Sequence, residues 1–298
     1  MKGLEYRWIE ALDEVTKQKG FEKAAQTLCL SQSAVSQRVK QLEAYLSAPV
    51  LIRTQPPRAT PAGEKLLGLY RQVRLLEQDF WPEINGENEK GVTAVAIATN
   101  ADSLATWLIP SLKNVLQANQ AELNLIVADE SKTLDKLRAG EVIAAISKRP
   151  KSISGCSATY IGTMDYLCVA SPAFCQQYFS DGISQQTLLT APAVVFDQDD
   201  DMHAQFLLQN FKLPISDIVT HAVRSSEAFV KLALHDIAYS LIPRLQIERE
   251  LQLGQLVNLT PELCVSQKMY WHHWQFENET LKHLSRQVLA YTQEHLTQ

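Results

Sequence analysis

The chain lacks most of the devices by which a sequence announces chemistry. Its five cysteines (Cys29, Cys156, Cys168, Cys175, Cys264) are odd in number and form no C-x-x-C pair, so neither a disulfide framework nor a zinc site is indicated. Buried free thiols are the expectation, with Cys29, at the end of a helix, read as core. Long apolar runs are missing too. The stretch Val92 to Ala98, broken by Thr93, is far shorter than the ~20 residues a membrane-spanning helix needs. No apolar segment of signal-peptide length opens the chain, and a cytoplasmic protein is expected. HExxH, Walker A, G-x-S-x-G and the dinucleotide glycine fingerprint are all absent. The seven histidines show no obvious carboxylate or thiol partnership, and adjacent His272 and His273 in a strand would point to opposite faces. The expectation is a protein that is not an enzyme, with no catalytic residues, no metal and no cofactor.

An excess of positive charge is also missing, since the net charge is -5. Its distribution is uneven. Residues 1–58 hold nine Lys/Arg against six Asp/Glu, whereas the remaining 240 residues hold nineteen against twenty-seven. A mildly basic head on an acidic body keeps one cationic face for a polyanion.

What the sequence does contain is an ordered series of parts. At 298 residues, 46% hydrophobic and 20% charged, the chain has material for two or three globular units. Leu4, Trp8, Leu12 and Val15 fall on one helical stripe, and Phe21, Ala24, Ala25 and Leu28 on a second, with Gly20 between them. Ser31 is placed to cap a third helix. On Gln32–Leu46, Val35, Val39, Leu42 and Leu46 take one face, while Ser33, Ser36, Gln37 and Lys40 take the other with Gln32 at its edge. Serine and glutamine suit base edges in the major groove, and Arg38 and Lys40 suit phosphates. A polar face touching only water has the same pattern, so this helix alone decides nothing. Pro49 to Arg53 then reads as a short strand, followed by Thr54 to Thr60 as a proline-stiffened hairpin, and Arg53 and Arg58 could reach a DNA backbone or minor groove. A long helix is expected from Pro61 to Trp81, with Leu66, Leu69, Val73, Leu76 and Phe80 repeating as a short heptad seam for dimerisation. Asn85 to Gly91 reads as a hinge. Beyond it strands and helices alternate: Val92–Ala98, Ser103–Gln117, Leu123–Ala128, Thr133–Ala139 and Val142–Ser147, which predicts a largely parallel sheet.

Phe21 to Leu28, Ser31 to Arg38, Gln41 to Glu43 and Thr60 to Gly63 together resemble the LysR-type transcriptional regulators. That resemblance spans the whole chain and implies a fold. An N-terminal winged helix-turn-helix, mainly α (1–58), is followed by a long linker and dimerisation helix (59–84) and a hinge (85–91). An α/β two-lobed effector domain of periplasmic-binding-protein-like type completes it (92–298). Lobe I is expected over about 92–162 and 266–298, and lobe II over about 163–265. Asn100 to Trp107, Phe196 to His203, Ser225 to Phe229 and Tyr270 to His272 resemble one branch of the family, which responds to arginine and lysine.

The resemblance implies double-stranded DNA as partner, a homodimer with tetramer formation left open, RNA polymerase recruitment, and an effector between the lobes. The segment Thr99 to Ser103 opens a helix there. Either it receives an α-carboxylate, or Asp102 or Ser103 merely caps the helix. Asp129 and Glu130 follow the second strand, Ser147 ends the third, and Asp197 follows a strand in the other lobe, all at sheet ends where α/β folds bind ligands. Ser225, Ser226 and Glu227 open a further helix that could complete the pocket. Acidic residues Asp199 to Asp201 read as solvated loop charges, and Trp107 and Trp271 as core. A regulator answering to another metabolite is the alternative; a solute-binding protein and an enzyme are remoter ones.

Overall fold

Three short helices, a small hairpin and a long helix open the chain: α1 (Tyr6–Lys17), α2 (Phe21–Thr27), α3 (Gln32–Leu46), β1 (Leu51–Ile52), β2 (Arg58–Ala59) and α4 (Pro61–Asn85). The computed structural model describes residues 3–85, 93–117, 121–128, 130–197, 201–277 and 279–298. The expected helical stripes meet in one core, where Leu12, Val15, Ala24, Val35, Val39 and Leu42 pack with Val50, Leu51, Leu67 and Tyr70. Ser31 caps α3, its Oγ accepting from the Ala34 amide at 3.2 Å. Cys29 departs from expectation. Just past α2 it takes a left-handed φ of 53° and its side chain is exposed, because the chain turns there while Leu28 and Leu30 supply the packing.

The junction after the hairpin is stereochemically tight. Thr60 Oγ1 donates to the Pro49 carbonyl at 2.8 Å and accepts from the Gly63 amide at 3.1 Å. A Cβ on Gly63 would lie 2.2 Å from the Val50 carbonyl oxygen, so only glycine fits. The linker helix also touches the body. Arg71 pairs with Asp13 of α1 at 2.7 Å and donates to the Ala139 carbonyl at 3.0 Å.

In the body, β3 (Thr93–Thr99) leads into α5 (Ala101–Ser103), which runs through a π-helical turn (Leu104–Leu108) into α6 (Ile109–Gln117). β4 (Ala121–Val127), α7 (Glu130–Arg138) and β5 (Ala144–Ser147) complete the alternating stretch. The long β6 (Cys156–Ala170) follows, then α8 (Pro172–Tyr178), α9 (Gln185–Leu188), β7 (Ala193–Val195), α10 (Asp201–Phe211), β8 (Thr220–Ala222) and α11 (Ser226–Leu234). The chain ends with β9 (Ser240–Pro243), α12 (Arg244–Gln252), β10 (Val257–Asn258), β11 (Val265–Trp274) and α13 (Glu279–His295).

The main sheet runs β10-β6-β11-β5-β3-β4, with β9 also on β6. It is mixed rather than largely parallel. Only β3 pairs in parallel with β4 and β5, while β6 and β11 pair antiparallel with every neighbour. The alternating pattern that signals parallel pairing covers only the stretch up to Ser147. β6 joins two cores. Met164 and Tyr166 belong to the one built on Trp107, Trp271 and Trp274, whereas Cys168 and Ala170 belong to the one built on Phe174, Phe206 and Tyr239. Trp107 and Trp271 are fully buried, as expected. Cys156 and Cys168 are buried as well, but Cys264 is exposed. The long helix runs past its expected end at Trp81, through Pro82, to Asn85, because a proline can follow on a helix whose preceding turns are already formed; the rest of the expected hinge at 85–91 lies outside the described residues. Among the described residues no helix is long and apolar enough to cross a membrane.

Candidate functional site

Two surfaces carry polar groups in patterns that packing does not require. On α3, Gln32, Ser33, Gln37 and Lys40 are exposed and Ser36 is half-buried, opposite the buried Val35–Val39–Leu42 stripe. The Ser33 and Ser31 hydroxyls share a hydrogen bond of 2.9 Å, which places Ser33 at the exposed N-terminal end of the helix. Arg38 leans back to Glu10 at 3.8 Å, and Arg53 to Glu43 at 3.5 Å. Arg58 stands exposed on β2. The result is a helix end and a hairpin presenting neutral hydrogen-bonding groups flanked by cations. Along α4, Leu69 (55% exposed) and Leu76 (40%) face outward, Val73 is half-buried, and Leu66 packs on the head core. The side chain of Phe80 lies outside the described residues.

The second surface is a cleft of about 580 Å³ between the two body cores. Its floor includes Ser147, Tyr166 and Gln267 from the sheet. One wall carries Asn100, Asp102, Lys132, Lys148 and Arg149, and the other Asp197, Asp201, His203 and Phe229. Of the residues expected there, Asn100, Asp102, Ser147 and Asp197 line it. Asn100 is the helix cap, its Oδ1 accepting from the Ser103 amide at 3.0 Å, so the cap is neither Asp102 nor Ser103. Ser103 is fully buried behind the wall. Ser225 caps α11 through the Ala228 amide at 3.3 Å, and the exposed Glu227 sits against its hydroxyl at 3.4 Å, so both serve the helix end rather than the cleft. Asp129 and the side chain of Glu130 lie outside the described residues, as do Asp199 and Asp200.

Asp102 has a different part from the one its charge suggests. Its two oxygens accept from the Tyr166 hydroxyl at 2.8 Å and from Ser226 Oγ at 2.7 Å. Ser226 begins α11 in the opposite wall, so this bond spans the cleft. Ser226 Oγ also lies 2.9 Å from the Gln246 side-chain amide. The serine proton serves one acceptor only, so the chain closes if Gln246 turns its NH2 toward Ser226. Asp197 meets Arg224 at 3.1 Å. Gln267 lines the floor, and its Oε1 is buried without a hydrogen-bond partner among the described residues.

Lys132, Lys148, Arg149, His203, Phe229 and Gln267 were not singled out by the sequence. Lys148 and Arg149 had a signal: they follow the predicted strand ending at Ser147, by the same rule that marked Asp197. Gln267 had none, since β11 shows no distinctive periodicity. His272 is buried, with Nε2 2.8 Å from the Arg149 carbonyl, and burial lowers its pKa. His273 Nδ1 pairs with Glu277 at 2.9 Å, a carboxylate partnership the sequence did not reveal. Among the described residues no cluster of three or more His, Cys, Asp or Glu could hold a metal.

Comparison with known proteins covers both surfaces. The family model for "bacterial regulatory helix-turn-helix protein, lysR family" matches residues 6–64, and that for "LysR substrate binding domain" matches residues 91–295. The HTH-type transcriptional regulator ArgP of Photobacterium profundum is 56% identical over 298 residues, all of both chains. The crystal structure of ArgP from Mycobacterium tuberculosis is similar with a TM-score of 0.90 at 28% identity, covering 99% of each chain. Full-length LysG from Corynebacterium glutamicum with bound effector Arg has a TM-score of 0.84 at 31% identity, covering 99% of this chain and 100% of that one.

Proposed function

The chain belongs to the LysR family of bacterial helix-turn-helix regulators, and on that premise we propose that it is a cytoplasmic transcription regulator whose effector is arginine or lysine. The observation that carries this reading is the polarity of the cleft. Lys132, Lys148 and Arg149 lie on one wall, where the Asp102 carboxylate is engaged by Tyr166 and Ser226, and Asp197 and Asp201 lie on the other. A basic amino acid has its α-carboxylate and its side-chain cation at opposite ends, and such a ligand spans that field in one orientation. The arginine bound by the Corynebacterium glutamicum relative has this same distribution of charge. The chain binds this ligand and leaves it chemically unchanged.

Ser33, Ser36 and Gln37, with Gln32 beside them, read base edges in the major groove, while Arg38, Lys40, Arg53 and Arg58 hold phosphates. The outward Leu69 and Leu76 pair two copies along α4, as two half-sites on DNA require. Effector binding changes how the lobes meet, hence the geometry of the paired heads and their engagement of RNA polymerase. The boundaries at residues 58, 84 and 91 and between the lobes are part of the same proposal. Calorimetry on the full chain tests the effector. Lysine or arginine should bind at micromolar to millimolar concentration and norleucine, which lacks the side-chain cation, at least tenfold more weakly. Equal affinity for all three would remove the charge-reading role of the second wall.

A further inference from the structure

Asp197 and Arg224 face one another because of strand register. β7 and β8 run parallel, with Ala193 beside Thr220, Val194 beside His221 and Val195 beside Ala222. The Val223 amide prolongs the ladder, donating to the Val195 carbonyl at 3.0 Å. Two residues beyond the last strand pair, Asp197 and Arg224 come side by side, and their Oδ2 and Nη2 atoms are 3.1 Å apart. Both stand at the carboxyl ends of parallel strands, where sheets of this kind present ligand-binding groups.

The two partners are unequally exposed. The Asp197 side chain is only 19% exposed and lines the cleft, whereas Arg224 is 74% exposed and reaches it from the solvent side. A guanidinium on that carboxylate is the same chemical group that ends an arginine side chain. We propose that Arg224 is a built-in competitor, which neutralises Asp197 and yields it to the cationic end of the effector. This inference rests on the reading of the cleft as a site for basic amino acids.

Exchange of one cation for another keeps a positive charge on the half-buried carboxylate throughout. The exchange is easy because an ion pair with so exposed a partner is weak. Arg224 therefore raises the effector concentration needed for a response without abolishing binding. A neutral amino acid derives no benefit from displacing it. The competing side chain is also well placed to report, since Ser226, two residues on, holds the bond to Asp102 across the cleft.

The test is calorimetry on the full-length protein with arginine, lysine and norleucine, using Arg224→Gln, Asp197→Asn and the double variant. Arg224→Gln should bind arginine and lysine about two- to fivefold more tightly, the range an exposed ion pair allows, and norleucine no more tightly. In the Asp197→Asn background the same change should have no effect. Weaker or unaltered binding of arginine and lysine by Arg224→Gln overturns the proposal, as does tightening that persists without Asp197. If the unaltered protein binds neither arginine nor lysine at millimolar concentration, the basic-amino-acid reading itself has failed, and the competitor role falls with it.

Discussion

In the head, the hydroxyls that set the start of α3 and the hairpin junction find partners nearby in sequence: Ser31 serves the Ala34 amide, and Thr60 serves Pro49 and Gly63. In the cleft, Asp102 holds Tyr166 and Ser226, which lie 64 and 124 residues along the chain. The α3 end and the hairpin junction are thus shaped by short-range devices, while Arg71 ties α1 and the linker helix to the Ala139 carbonyl of the body. The cleft exists only when two distant walls are brought together. A ligand that changes how those walls meet acts on the very contacts that build the site, which is the requirement for a sensor.

The comparison breaks most visibly at Gly63. Gly63→Ala forces a methyl group to within 2.2 Å of the Val50 carbonyl oxygen, and backbone cannot rotate away as a side chain can. The head should lose about 3 kcal/mol or more. Scanning calorimetry should show the head transition falling, gel shifts should show operator binding lost, and arginine binding by the body should persist. Loss of both functions together would show that the head is not an independent unit.

Asp102→Ala is the matching change in the body. It strips the acceptor from the Tyr166 hydroxyl and breaks the Ser226 bond across the cleft, at a cost of roughly 1–3 kcal/mol. Effector affinity should fall for arginine, lysine and norleucine alike, because the bond positions the walls and does not read the ligand's charge. A selective loss for the two cationic ligands would instead make Asp102 a direct contact. Footprints on DNA without effector should be unchanged. Conversely, Gln37→Ala should weaken operator binding by about tenfold, roughly 1.4 kcal/mol, and leave calorimetric binding of arginine as it was.

The same contrast explains what was legible in the sequence. The three head helices, the Ser31 cap and the buried stripe of α3 follow from spacing, because their causes lie within a few residues. Cys29 escaped because a left-handed turn residue carries no mark when it is not glycine or asparagine. In the body, the parallel strands at Thr93–Thr99 and Ala144–Ser147 were readable from alternation, but the antiparallel crossing by β6 and β11 was not. Asp197 was found from its place after a strand. Its partner Arg224 was not, because the pair arises from the register of two strands 27 residues apart. Gln267 shows the limit most plainly, since its place in the cleft floor depends on what stands opposite it and not on its neighbours.

The smallest expected effect separates the two regions by pH. All seven histidines lie beyond residue 200, so the head has none. His272 is buried, its Nε2 is 2.8 Å from the Arg149 carbonyl in the cleft wall, and its Nδ1 is buried without a partner among the described residues. Protonation would place a donor where nothing accepts it. Burial first, and His273 beside it second, hold the His272 pKa below its ordinary 6.5, against the raising effect of the Arg149 hydrogen bond. The unfolded chain therefore binds the proton more readily than the folded one. Stability from this residue is complete above about pH 6.5 and declines as pH falls toward the lower folded-state value. Melting followed between pH 7.5 and 5.5 should show the body transition dropping with a slope of less than about one proton, while the head transition stays flatter. His272→Gln, which keeps an N–H for the Arg149 carbonyl, should remove that component of the slope. An unaltered slope in this variant would place the titrating group elsewhere in the body.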